Sequence, residues 1–177
     1  MAHISPIEYK RRMKTKTLFY RFHTTDNLLD SKNFNNIKKV RCIALNEQGL
    51  ACMVSNDGVT DWMVPGGTVE KNENPILALK RELLEEADIE IKNYKLIGFM
   101  EAEFKNLLTG YTSRYTEMWF VANVSKILTQ TEDPAKGKIL EREFFDIEEM
   151  AYKFQKWGRI SKFMVEFLTK LKVKSEK

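Results

Sequence analysis

No stretch of this chain stays apolar long enough to cross a bilayer. The best run, Met118 to Ala122, stops after five residues, whereas a membrane-spanning helix needs about 20. Cysteine is scarce, with Cys42 and Cys52 alone, which is too few for a disulfide framework and is the usage of a reducing compartment. Histidine occurs only at His3 and His23, so no Cys/His cluster with zinc spacing exists. The opening Met1-Ala-His-Ile-Ser-Pro-Ile-Glu-Tyr has no signal-peptide h-region. No internal repeat, low-complexity linker or RNP-type aromatic motif is present. Together these absences point away from membrane proteins and zinc modules, and toward a cytoplasmic protein.

With 177 residues, 43% of them apolar, the chain has the length and composition of one globular domain with a real core. Its net charge of +4 conceals an asymmetry. Residues 1–41 hold ten Lys or Arg against three Asp or Glu, and residues 153–177 hold eight against two. Between them lie eleven basic and twenty acidic residues. An acidic centre with basic ends suits a polyanionic substrate, although Lys-rich termini also serve solubility alone.

Residues 1–37 read as a basic N-terminal extension, 38–173 as the main domain and 174–177 as a tail. Within the extension, Leu18-Phe-Tyr-Arg-Phe has the composition of an added strand or an edge shield. Lys39 to Leu45 and Leu50 to Ser55 alternate like paired strands. If Leu45 pairs with Gly49 across the turn, Cys42 and Cys52 face each other, though two buried thiols are the plainer state. Asp61 to Val64 reads as a short strand, and Tyr94 to Phe104 and Thr112 to Val124 as longer ones. Residues 129–138 read as a loop, Glu141 to Phe145 as a strand, and Ile147 to Phe154 and Ile160 to Leu171 as helices.

The chemistry concentrates between Gly67 and Ile89. The spacing predicts a helix over Pro75 to Ala87, capped by Asn74, with Pro75 at its first position and Ile76, Leu79, Leu83 and Ala87 as the buried stripe. At about 100° per residue, Glu82, Glu85 and Glu86 then share one face. Three like charges at this spacing repel by a few tenths of a kcal/mol per pair. A hard divalent cation would reverse that sign, because it takes oxygen ligands of this kind.

Gly67, Glu73, Arg81-Glu82-Leu83, Glu85-Glu86 and Ile89 match in type and spacing the signature box of the Nudix hydrolases, which this segment resembles. The preceding Trp62-Met63-Val64-Pro65-Gly66-Gly67 is similar to the strand and turn that lead into that box. The resemblance implies an α+β fold, an α/β/α sandwich with a mixed β-sheet, the box helix and a C-terminal helix. It implies an enzyme that hydrolyses a phosphoanhydride bond with Mg²⁺ or Mn²⁺ as cofactor. It further implies Glu82, Glu85, Glu86 and the Gly66 carbonyl as metal ligands, with Glu73 and Arg81 as a structural pair tying loop to helix. Nudix proteins are often homodimers, and the N-terminal segment could supply an interface. One position departs: Asp88 stands where the box ends in glycine. Asp tolerates the left-handed region at modest cost, so it reads as a helix terminator more readily than as a further ligand.

The general base stays open between a box glutamate and Glu141, which precedes an aromatic by three residues and reads equally well as a surface residue. Glu101, Glu103 and Glu117 alternate with apolar residues and are expected to face solvent. Trp62 is read as core packing or as a base-stacking platform, with Phe104, Tyr111, Tyr115 and Trp119 as other aromatic candidates for a base. The leading expectation is a nucleoside di- or triphosphate, or a nucleoside diphosphate derivative, as substrate. Diphosphoinositol polyphosphates and RNA 5′ ends form the alternative. A Nudix-fold ligand sensor without catalysis is the reading from another class, and the complete glutamate set argues against it.

Overall fold

The computed structural model describes residues 7–12, 16–24 and 37–153. Among these residues seven strands and two helices follow one another as β1 (Ile7–Arg12), β2 (Lys16–Thr24), β3 (Ile37–Leu45), β4 (Ala51–Ser55), α1 (Pro75–Ala87), β5 (Ile89–Asn106), β6 (Thr112–Ile127), β7 (Glu141–Phe145) and α2 (Ile147–Lys153). The strands form one mixed sheet in the order β1-β2-β5-β6-β3-β4-β7. Among the described strands only β3 and β6 run parallel. Leu18 to Phe22 falls in β2, which adds an antiparallel strand against β5 from Lys16↔Asn106 to Thr24↔Gly98.

The two faces of the sheet hold two cores. On one, Ala78, Leu79, Leu83 and Ala87 of α1 pack against Val40, Cys42, Phe120 and Val124. On the other, Ile147 and Met150 of α2 join Phe22, Ile43, Met53, Trp62, Met100 and Trp119. Helices on both faces make this the expected α+β architecture. The helix Ile160 to Leu171 lies outside the described residues. Leu79 and Leu83 are fully buried, so truncating either to alanine costs about 2–5 kcal/mol.

α1 has the predicted limits. The Asn74 side chain accepts from Ile76 N–H, Pro75 opens the helix, and Asp88 closes it at φ 47°, ψ 46°. The pairing of β3 differs from expectation. β3 and β4 share a single pair, Leu45↔Ala51, because the Pro65–Val69 turn runs alongside β3 instead. Val40 N–H donates to the Gly67 carbonyl at 3.0 Å, Cys42 N–H to Pro65 at 3.1 Å and Val69 N–H to Lys38 at 2.9 Å. Asp61 to Val64 makes one bridge, Val54↔Met63, and no full strand. Pro65 has no N–H to continue a ladder, and Gly66 turns the chain at φ 137°.

The Leu45↔Ala51 pair also moves the cysteines out of opposition. Gly49 is spent in the turn at φ 77°, and the Asn46 side chain accepts there from Gln48 and Leu50 N–H. Both cysteines are buried free thiols. Burial raises the Cys52 thiol to about 12, so it remains protonated and unreactive.

Candidate active site

The turn from Pro65 to Val69 runs along β3 and meets the box carboxylates of the second half of α1. Gly66 N–H donates to Glu86 Oε2 at 2.8 Å. A side chain at Gly67 would collide with the carboxylate of Glu82, so glycine here leaves the space that this carboxylate fills. A Cβ on Gly66 would strike the Val40 carbonyl and the Arg41 backbone. Glycine is required at both positions by close approach, and at Gly66 by its positive φ as well.

Arg81 organises the acids. Its Nε donates to Glu73 Oε1 and its Nη2 to Glu73 Oε2, both at 2.9 Å. The pair that the resemblance implies is thus bidentate here. Its Nη1 reaches Glu82 Oε1 at 3.0 Å and Glu85 Oε2 at 2.9 Å, and Nη2 also donates to the Thr68 carbonyl at 2.9 Å. Glu82 and Glu86 are buried, at 9% and 8% exposure. Burial raises the Glu82 pKa above the ordinary carboxylate value, with Arg81 partly offsetting it.

Two further cations complete the arrangement, and neither was singled out in the sequence. Arg41, on β3, donates from Nη1 to the Gly66 carbonyl at 2.5 Å and to Val64 at 3.2 Å. Lys136, fifty residues beyond Glu86, donates to Glu86 Oε1 at 2.6 Å and lies 3.1 Å from Asp133 Oδ2. Burial works against the Lys136 charge, but Glu86 and Asp133 hold its pKa above the ordinary lysine value. Strand alternation hid Arg41, and Lys136 lies in a stretch whose sequence says only loop.

Each of the four expected metal ligands therefore contacts a protein cation: the Gly66 carbonyl with Arg41, Glu82 and Glu85 with Arg81, and Glu86 with Lys136. Among the described residues, no three carboxylate, imidazole or thiol groups converge into a ready cage. The donor set still fits a hard divalent cation. It consists wholly of oxygens, two of its carboxylates are buried, and the protein already balances their charge with ammonium and guanidinium groups.

The remaining candidates are dispersed. Glu141 is exposed, pairs with Ser55 across β4 and β7, and packs against Gly58. Trp62 is buried edge-on against Phe145 at 4.9 Å, with the Lys153 ammonium 5.5 Å from its ring. Among the described residues its indole N–H has no hydrogen-bond partner. It borders a cavity of about 680 Å³ with Asp57, Val59, Thr60, Asp61, Tyr152 and Lys153. Phe104 is half-buried between Leu18 and Ser113. Tyr111 is exposed, and Trp119 is fully buried, edge-on to Phe22. Tyr115 lies under the Lys39 ammonium at 5.5 Å.

Glu101 and Glu103 are partly exposed and engage His23 and Arg114 respectively. Glu117 overturns the expectation that it faces solvent, since it is 1% exposed and its Oε2 has no hydrogen-bond partner among the described residues. Residue 117 shares a face of β6 with Trp119, and because both faces of this strand meet a core, alternation leaves it no solvent side.

Residues 36–167 match the NUDIX domain family. The chain is 30% identical over 122 residues to Diphosphoinositol polyphosphate phosphohydrolase 2 of Rattus norvegicus, a match covering 68% of this chain and 63% of that protein. It is also 30% identical over 146 residues to Diphosphoinositol polyphosphate phosphohydrolase 3-alpha of Mus musculus, covering 81% of this chain and 82% of the relative. Among solved structures it resembles the Bacillus subtilis pyrophosphohydrolase BsRppH, with a TM-score of 0.55 at 16% identity over 85% of this chain and 98% of that one. A MutT protein of Bacillus halodurans gives 0.51 at 20% identity, over 72% and 80% of the two chains. The structural likenesses carry the fold. With the family match spanning most of the sequence, the chain belongs to the Nudix family of pyrophosphohydrolases.

Proposed function

We propose that the protein hydrolyses a phosphoanhydride bond in a nucleoside di- or triphosphate or a nucleoside diphosphate derivative, with Mg²⁺ or Mn²⁺ held by Glu82, Glu85, Glu86 and the Gly66 carbonyl. The observation that carries this reading is the cation contact on every one of those four groups. A bound divalent ion would neutralise phosphate oxygens and lower the pKa of an attacking water. The chain's own residues prepare the site. Arg81 fixes Glu82 and Glu85 in orientation, and Gly66 N–H fixes Glu86. Arg81 engages Glu82 Oε1, which leaves Oε2, against Gly67, as the atom to take a proton from water. Its raised pKa suits that role. Glu141, on the rim of the Gly58 loop, is the other candidate base.

The cavity beside Trp62 and Tyr152 is large enough for a nucleoside, and its acidic residues suit the amino edge of a base better than another phosphate. A second reading, diphosphoinositol polyphosphate hydrolysis, is favoured by the names of the curated relatives and by the basic ends. RNA 5′ ends are a further polyanionic option. Among the described residues no helix is long and apolar enough to cross a membrane, and we place the enzyme in the cytoplasm. A phosphate-release screen with Mg²⁺ and Mn²⁺ over nucleotides, nucleotide sugars, capped and triphosphorylated RNA and inositol pyrophosphates tests the reading. Release from nucleotides supports the first reading, and release confined to inositol pyrophosphates replaces it with the second. No release from any of them, with metal present, rejects both. Glu82→Gln and Glu141→Gln, compared on the substrate found, identify the base.

A further inference from the structure

Asp88 does more than end the box helix. Its carboxylate accepts from Thr131 N–H at 3.0 Å and from Thr131 Oγ1 at 2.7 Å. Its backbone carbonyl accepts from Leu128 N–H at 2.8 Å and from Arg142 Nη1 at 3.2 Å. The loop that begins at Leu128 is thus tied to the end of α1 through side chain and backbone together. A few residues on, Asp133 is 2% exposed and closes a tight turn. Its carbonyl accepts from Lys136 and Gly137 N–H, its side chain from Ala135 and Lys136 N–H, and it bridges to Lys138. Gly137 completes the turn at φ 62°. The product of this geometry is the placement of one ammonium group, Lys136 Nζ, on Glu86 Oε1.

An ammonium has three donors. Among the described residues Glu86 and Asp133 take two of them, and the Lys136 side chain is 30% exposed, which leaves one donor for a ligand beside a carboxylate expected to hold metal. Glu86 would hold a divalent cation in place of the lysine's single charge, and Asp133, 3.1 Å from the ammonium, would keep Lys136 beside the metal-bound anion. We propose that Lys136 is a diphosphate-binding residue of this site, and that Asp88, through Thr131, is the positioning residue that sets it there. This rests on the reading of Glu86 as a metal ligand. It also gives the one departure from the Nudix box a role that glycine cannot fill, because glycine has no carboxylate to hold the loop.

The test uses two probes on the full chain: Mn²⁺ alone, followed by loss of its free paramagnetic resonance signal, and methylenediphosphonate, a non-hydrolysable diphosphate, titrated calorimetrically at saturating Mn²⁺. Lys136→Met should tighten Mn²⁺ binding about three- to tenfold, because a competing charge is gone, and weaken methylenediphosphonate at least about fivefold. Lys136→Arg should retain most diphosphate binding. Asp88→Gly keeps the left-handed terminator and removes the tether, so it should shift both constants in the same directions by less. Thr131→Val, which leaves Asp88 in place, should do the same, while Asp88→Asn should lie nearer wild type. Adding Asp88→Gly to Lys136→Met should weaken the diphosphate no further, since both act through one group.

If Glu86→Gln weakens Mn²⁺ while Lys136→Met moves neither constant, this inference fails and the metal reading stands. If Glu86→Gln leaves Mn²⁺ binding unchanged, the metal reading fails and takes the inference with it. An Asp88→Gly effect that adds fully to that of Lys136→Met would refute the positioning role.

Discussion

Replacing Arg81 by alanine removes five hydrogen bonds at once, four of them to carboxylates. At the strength of charged hydrogen bonds in isolation, about 1.5–3 kcal/mol each, the total would exceed 6 kcal/mol. That sum is too large, because the Arg81 side chain is 26% exposed and water replaces part of what is lost. At about 0.5–1 kcal/mol per carboxylate contact, a value near the upper range for exposed pairs, the loss is about 2–4 kcal/mol. Relief of Arg81's own burial reduces it, and uncompensated repulsion among Glu82, Glu85 and Glu86 increases it by a few tenths per pair. We expect about 3 kcal/mol in metal-free buffer, read as a fall of about 1.5 M in the urea midpoint for a slope near 2 kcal/mol/M.

Arg81→Lys should recover only about 1 kcal/mol, since an ammonium cannot reproduce the bidentate grip on Glu73. The loss should shrink in Mg²⁺, which supplies the missing positive charge. The Arg81 hydrogen bond holds the Glu73 carboxyl below its ordinary value. Its contribution is therefore present above the usual carboxylate range and lost as pH falls through the folded value. The difference between Arg81→Ala and wild type should narrow in acid. A change under about 0.5 kcal/mol at neutral pH, or full rescue by lysine, would refute the view that Arg81 organises the site.

Metal removal is the simplest further check. EDTA should abolish hydrolysis, Mg²⁺ or Mn²⁺ should restore it, and Glu86→Gln should cut turnover at least about a hundredfold; unchanged rates in metal-free buffer contradict the mechanism. Neutralising Lys10, Arg11 and Arg12 in β1, with Lys14 and Lys16, should raise KM more than it lowers kcat, with the effect fading as salt rises; identical kinetics at low salt would leave these charges a role in solubility alone. Burial, opposed by Arg41 and Lys39, raises the Glu117 pKa. The folded state then binds that proton more tightly, so stability should decline as pH rises from about 4.3 through the folded value. Glu117→Gln should flatten this slope in urea melts between pH 4 and 8, and an unchanged slope refutes the assignment.

The helix and its caps were legible in the sequence because they depend on local chemistry. Asn74, Pro75 and the Ile76, Leu79, Leu83, Ala87 stripe act within a few residues of one another. The Glu73–Arg81 pair was legible only through the resemblance to the Nudix box, because Glu73 precedes the helix and the partners lie eight positions apart. Strand partners were less legible. β3 and β4 alternate as a hairpin should, but their alternation does not reveal that the Pro65–Val69 turn takes the hydrogen-bonding edge between them. The cysteine register followed the same error. Glu117 shows a related limit: an alternating strand has two faces, and pattern alone does not say which one a core covers on both sides of the sheet.

What the sequence could not show at the site is the origin of its positive charge. Burying Glu82 and Glu86 costs several kcal/mol per ion unless each is paired and hydrogen-bonded. The pairing comes from two separate places, Arg81 on the same helix for Glu82 and Lys136 from the loop after β6 for Glu86, while Arg41 on β3 holds the neighbouring Gly66 carbonyl. Packed apolar residues of similar volume would often be at least as stable there, so stability alone gives little reason to bury these acids. A helix that holds buried carboxylates beside a carbonyl, each matched by a cation and one of them by a cation that can yield, is arranged for an exchange of charge. The divalent ion expected of a Nudix site is the partner that would make that exchange favourable. Lys136 is the cation with the freedom to move, because it reaches Glu86 on a flexible stem, whereas Arg81 is locked by Glu73 and Arg41 by two backbone carbonyls.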